Sequence, residues 1–185
     1  ALEENRSDLG GLVFVEGESG SGKSRFLLEA TKLARTSEQL VLRGQCAHHV
    51  GKHPFAMFDG IVDGLLTELQ ASEAARAAMR SELADIRDAL VAALPSLQEV
   101  LASDEAKPTV PEAFGENRTV DALMRFLQAV GKVLGPAVIL LGDCQWADAL
   151  ALRMLRRWED RGKQENRSTT LVVSFRSEDI ADQHL

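Results

Sequence analysis

Near the start of the chain, Gly17-Glu18-Ser19-Gly20-Ser21-Gly22-Lys23-Ser24 carries the clearest chemistry in the sequence. It fits GxxxxGK[ST], a pattern whose backbone wraps a phosphate. Glycine at Gly17, Gly20 and Gly22 lets the main chain approach an anion closely and take dihedrals that other residues resist. The amide N–H groups then point inward. Lys23 supplies a point charge to the outer phosphates, Ser24 a hydroxyl to Mg²⁺, and the start of the next helix a favourable dipole. The expected contact runs from Gly17 through Arg25, and the ligand it predicts is ATP with Mg²⁺. A chance match in a Gly/Ser-rich turn is the bland alternative, and the flanks oppose it. The apolar run Leu12-Val13-Phe14-Val15 precedes the motif and the helix-forming GKSRFLLEATKLAR follows, the context that such a loop requires.

A second group of residues should face this loop. Asp143 follows the most apolar run of the chain, Ala137-Val138-Ile139-Leu140-Leu141, and Gly142. Ligands of open α/β sheets bind beyond the strand C-termini, so its carboxylate would lie across the phosphates from Ser24, organising Mg²⁺ or the attacking water. The other reading is a solvated loop carboxylate or a helix cap, although Asp148 is the better N-cap of the pair. Cys46, His48, His49 and His53 raise the question of zinc, but their spacing fits no compact zinc knuckle, which favours a loop and helix start. Trp146 reads as packing, Gln145 as a group that orients water or bonds backbone, and Arg153, Arg156 and Arg157 as a solvated helix face.

The elements that position these residues alternate. Strands are predicted at Leu12–Val15, Gln39–Arg43 (closed by Gly44), Val138–Leu141 and Thr170–Phe175. Helices are predicted from Gly22 to about Arg35, from Pro54 through PFAMFDGIVDGLLTEL, from an N-cap at Ser72 to Leu94, from Thr119 to Leu134, and from about Asp148 to Arg161. Val120, Leu123, Met124, Leu127, Val130 and Leu134 share one face of the fourth. Pro95 ends a helix or starts the next, and Ser103 to Glu116, with Pro108 and Pro111, reads as a surface loop. The alternation predicts a three-layer α/β domain with a parallel sheet and right-handed crossovers.

The bulk numbers narrow the classes. With 185 residues, 45% hydrophobic and 26% charged, the chain suits one well-buried globular domain. A net charge of −7 argues against nucleic acid as main partner. No apolar run approaches the roughly 18 residues that cross a bilayer, and a cytoplasmic location is expected. Cys46 and Cys144, far apart in sequence, suit free thiols in a reducing compartment. Both ends read as cut from a larger protein.

The series FVEGESGSGKS, VLRGQCAHHVGKHPF, VILLGDCQWAD and LVVSFRSED resembles, in order and spacing, the ATPase domain of the signal-transducing ATPases with numerous domains. The likeness runs from about Leu12 to Asp179, and QWAD is its most specific element. It implies an AAA-like P-loop fold with the Walker B strand beside the sensor strand, and an ATP-controlled switch fused to other modules. Gly17 to Ser24 match the Walker A loop, Asp143 the second acidic position of Walker B, and Arg176 the polar residue that ends the sensor strand and senses the γ-phosphate. Such proteins usually carry two acidic residues before the QWAD-like turn, and here the first is Gly142. The resemblance also implies a fifth strand beyond the sensor strand and a helical lid; without the strand, Leu12–Val15 becomes an exposed edge. Expected partners are ATP or ADP, other domains or proteins, and copies of itself in a nucleotide-dependent oligomer. Three readings stay open: a slow regulatory ATPase, a nucleotide-binding scaffold without turnover, and a small-molecule kinase.

Overall fold

The computed structural model describes residues 11–46, 55–101, 115–162 and 168–179. Strands β1 (Leu12–Gly17), β2 (Leu40–Gln45), β3 (Ala137–Gly142) and β4 (Thr169–Arg176) make one sheet, ordered β1-β4-β3-β2, with every pair parallel. The helices are α1 (Lys23–Thr36), α2 (Asp59–Gln70), α3 (Glu73–Glu82), α4 (Arg87–Ala93), α5 (Gln98–Leu101), α6 (Gly115–Leu134) and α7 (Ala149–Gly162). This is the α/β architecture with a parallel sheet that the alternation predicted. β3, the most apolar strand, is interior, and β4 lies beside it as the resemblance implied.

Two hydrogen bonds identify the faces of the sheet. Thr169 Oγ1 donates to the Leu127 carbonyl of α6 at 2.8 Å, which turns Thr169, Leu171 and Val173 toward that helix. Arg43 Nη2 donates to Thr31 Oγ1 of α1 at 2.7 Å, which turns Arg43 and its register partner Leu140 the other way. One layer is therefore α1, the next the sheet, and the third contains α2 and α6, with α7 against α6. Trp158 of α7 is fully buried, and its Nε1 donates to the Gly11 carbonyl at 3.4 Å, just ahead of β1. β1 is one edge of the sheet among the described residues and β2 the other, and on β1 Val13 is 44% and Phe14 52% exposed.

The predicted face of α6 is deep in the core: Val120, Leu123, Met124, Leu127 and Val130 are fully buried. Phe126, Ala122 and Ala129 are buried too, because α3 and α4 cover the side that the sheet leaves free, and Gly131 is buried against Ser168 and Thr169 at the start of β4. Leu134 is only partly buried.

Several boundaries differ from expectation. β2 does not close at Gly44 but runs through it to Gln45. A Cβ on Gly44 would collide with the Met57 carbonyl, so this glycine admits a neighbouring backbone rather than ending a strand. The helix expected from Ser72 to Leu94 starts as predicted, with Ser72 Oγ accepting from Ala75 N at 3.2 Å, but breaks after Glu82. The 3-10 turn Ala84–Ile86 presents Asp85 to Arg125 of α6 in a two-pronged pair at 2.6 and 2.8 Å, a tie that a continuous helix would forgo. α4 then stops at Ala93 and Pro95 opens the 3-10 turn Pro95–Leu97.

Gly115 and Glu116, expected at the end of the loop from Ser103, already belong to α6; residues 102–114, like Pro54, lie outside the described residues. Of the α7 arginines expected on a solvated face, Arg153 and Arg156 are exposed and Arg157 is half-buried. Arg153 pairs with Glu116 at 2.7 Å, Arg157 Nη2 donates to Asn117 Oδ1 at 2.7 Å, and Arg161 pairs with Asp121 at 3.1 Å. These exposed pairs contribute about 0–1 kcal/mol each, and the buried Ala151, Met154, Leu155 and Trp158 carry the packing of α7.

Candidate nucleotide-binding site

β1 delivers the chain at Gly17 and α1 takes it up at Lys23, so the loop between them is held by a parallel strand on one side and a helix on the other. Gly20 at φ 78° and Gly22 at φ 95° are left-handed, a conformation that costs an L side chain about 1–2 kcal/mol. Gly17 has a different reason. Its Cβ would stand 2.5 Å from Ser21 Oγ, inside the turn closed by Ser21 N donating to the Glu18 carbonyl at 3.1 Å. Gly22 occupies the N-cap of α1 and has no side chain to satisfy the first-turn amides, which leaves them to an anion.

Lys23 is half-buried, and its Nζ donates to the carbonyls of Gly17 at 2.6 Å and Glu18 at 2.7 Å. Its ammonium thus lies across its own loop. Ser24 and Arg25 are exposed on the first turn of α1. Ser19 N donates to Glu178 Oε1 at 2.7 Å, a contact that bridges 159 positions of sequence. Hydrogen bonds from its own backbone amide and from that of Ser19, together with the charges of Lys23 and Arg176, hold the Glu178 carboxyl below the usual glutamate range.

On the inner strand, Gly142 ends β3 and Asp143 turns left-handed at φ 53°, ψ 40°. Plain alternation would send Asp143 to the face opposite Gly142. The left-handed turn redirects it, and Ser24, Gly142 and Asp143 line one cavity of about 490 Å³ together with Arg43, Gln45 and Asp59. Gln45 Nε2 donates to Asp143 Oδ2 at 2.9 Å from the end of the adjacent strand. Arg176 pairs in register with Gly17, so the end of β4 lies directly beside the loop. Its amide donates to Gln145 Oε1 at 3.3 Å, which gives Gln145 the backbone-bonding role among the two foreseen. Asp148 caps α7 through Ala151 N at 2.7 Å and also accepts from Phe55 N at 3.3 Å. Trp146 is 40% exposed.

Of the Cys/His group, His48, His49 and His53 lie outside the described residues. Cys46 is buried, with Sγ 3.8 Å from both Cys144 Sγ and Met57 Sδ. Contact with Cys46 first, and then burial, push the Cys144 thiol upward. Two cysteines distant in sequence thus meet under the floor of the site, one after Gln45 and one after Asp143.

Gln45 and Glu178 were missed by sequence reasoning. Gln45 becomes significant only once the register pairs it with Gly142. Glu178 carried a faint signal: an acidic residue two positions after Arg176, at the end of a strand whose neighbour in the sheet is β1.

The arrangement fits the ligand that the loop predicts. The anion cradle already receives one carboxylate at the Ser19 amide, and the hydroxyl and carboxylate oxygens of Ser24 and Asp143 are the donor type a hard cation takes. A P-loop on one strand of a parallel sheet, with a carboxylate leaving an inner strand, defines a P-loop nucleotide-binding domain. The family model for the AAA ATPase domain matches residues 1–173, and the chain belongs to that family. Membership implies nucleotide binding, typically with Mg²⁺. The match covers the P-loop and Asp143 and ends at Val173, short of Arg176 and Glu178. Searches of curated proteins and of solved structures found no match. Among the described residues, no helix is long and apolar enough to cross a membrane.

Proposed function

We propose that this domain is an ATP-controlled switch of the type found in signal-transducing ATPases with numerous domains, acting in the cytoplasm. It binds ATP with Mg²⁺ and hydrolyses it slowly, and the bound nucleotide sets its contacts with other domains, protein partners or further copies of itself. The loop amides and Lys23 hold the phosphates, with Gly17 to Arg25 forming the contact. Ser24 and Asp143 hold Mg²⁺, Asp143 also polarises the attacking water, and Arg176 senses the γ-phosphate. Mg²⁺ would neutralise charge developing on the outer phosphate oxygens. The observation that carries the reading is the cavity shared by Ser24 and Asp143, beside a loop with two left-handed glycines.

Gly142 favours one rival. With no carboxylate at that position and the Gln45 amide against Asp143, a nucleotide-binding scaffold without turnover is the second reading. Radiolabelled ATP, with and without candidate acceptors, separates the classes: free phosphate supports the ATPase, labelled acceptor a kinase, and neither the scaffold. Binding itself is read by melting. Saturation at about 100 times Kd stabilises the fold by roughly 2.7 kcal/mol, and Lys23→Ala should abolish that shift. An undiminished shift in the variant would remove Lys23 from the site.

A further inference from the structure

The contact between Glu178 and the P-loop has no part in the roles assigned above. Glu178 lies in the 3-10 turn Ser177–Asp179, which leaves β4 immediately after Arg176. The register of β4 on β1 sets Arg176 against Gly17, so the next residues of β4's exit rise over the mouth of the loop. From there the Glu178 carboxylate accepts the Ser19 amide at 2.7 Å. The positive charges of Lys23 and Arg176 favour its ionised form.

These three groups are the ones that a nucleotide's outer phosphates need. Amides of the loop and its lysine cradle the β- and γ-phosphates, and a carboxylate held by one of those amides, in the field of that lysine, is a second anion in one small electropositive space. Neighbouring like charges disfavour each other, so the two cannot be accommodated together at full strength. The carboxylate is tethered to the sheet through β4, which gives it a high local concentration at the loop without adding any affinity for solution anions.

We propose that Glu178 is an internal competitor for the terminal phosphate of ATP: its carboxylate latches the β4 exit onto the Ser19 amide, and binding of the triphosphate displaces it. This inference rests on the nucleotide-binding reading of the P-loop and adds its regulation. Displacement moves the turn that follows Arg176, so occupancy of the loop is reported as a change at the end of β4. A diphosphate reaches less far toward Glu178 and competes with it less.

The experiment compares the wild-type chain with Glu178→Gln and Glu178→Ala. Fluorescent ATP and ADP analogues measure affinity, and the Ser19 amide resonance is followed by NMR with and without unlabelled nucleotide. Both variants should bind ATP about tenfold more tightly, with a smaller gain for ADP, because both remove the charge. In the wild type, ATP should move the Ser19 resonance away from its latched position, and Glu178→Ala should shift that resonance before any nucleotide is added. Unchanged or weaker ATP binding in both variants would overturn the latch while leaving the nucleotide-binding reading intact. Equal gains for ATP and ADP would overturn the assignment to the terminal phosphate. Failure of every form to bind either nucleotide, with the Ser19 shift still produced by Glu178→Ala, would instead overturn the reading of the loop and the competition with it.

Discussion

Gly142→Asp tests the proposed division between an intact phosphate cradle and a depleted acidic end. Sterically the change is mild. A Cβ at Gly142 meets Gln45 Cγ at 3.7 Å and the Gly44 carbonyl oxygen at 3.8 Å, both ordinary contacts, and Gly142 is not among the described glycines with positive φ. Loss of a glycine's freedom in the unfolded chain favours the variant by about 0.4–1 kcal/mol. The new charge opposes it. Two carboxylates about 5 Å apart at an effective dielectric of about 20 repel by roughly 3 kcal/mol. Without divalent metal the variant should therefore be about 2 kcal/mol less stable, a fall in Tm of about 4–8 °C for a chain of this size. Adding Mg²⁺ should recover most of that loss, as the cation takes both carboxylates. Turnover should rise on the order of 10²-fold, the lower end of what a positioned acid or base contributes, equal to about 2.7 kcal/mol of barrier. The assay is single-turnover phosphate release with ATP and Mg²⁺, beside melting curves in EDTA and in Mg²⁺. Gly142→Asn controls for size without charge. If Gly142→Asp binds ATP and regains its Tm with Mg²⁺ yet releases phosphate no faster, the missing carboxylate does not limit the reaction. If Mg²⁺ recovers no stability, position 142 does not face the metal.

Gly131→Ala should lose about 1–3 kcal/mol, since its Cβ would collide with Thr169 Oγ1 and stand 2.7 Å from the Ser168 carbonyl, forcing α6 off β4; a urea midpoint equal to wild type would show that the helix can shift freely. The Cys144 thiol predicts a loss of stability in alkali. Its folded pKa lies above the unfolded value of 9.0, so the contribution is full below about pH 9 and falls as pH rises. The limiting slope is about 1.4 kcal/mol per pH unit. Urea midpoints at pH 8, 9 and 10 should fall more steeply in the wild type than in Cys144→Ser, and the chain has no tyrosine to titrate there. Equal slopes would mean that the thiol ionises as freely folded as unfolded.

Local sequence was sufficient wherever one element's own pattern decides the outcome. The four strands, the Ser72 and Asp148 caps, the apolar face of α6 and the loop from Gly17 to Ser24 are written in periodicity, turn chemistry and short-range spacing. The parallel sheet followed from the alternation of strands and helices, because a parallel connection needs a crossover. Tertiary structure decided what depends on register and on meetings between distant segments. Gly44 looked like a strand end, and only the Met57 carbonyl packed against it shows why a glycine continues the strand. The Ala-rich stretch looked like one helix, and only the structure shows that it breaks after Glu82, with Asp85 in a separate turn that meets Arg125 of another helix. Strand periodicity alone could not aim Asp143; its left-handed backbone and the Gln45 amide do so through β2 and β3 in register. Glu178 reaches Ser19 because β4 lies against β1, an adjacency formed by packing 159 positions apart that no local pattern records.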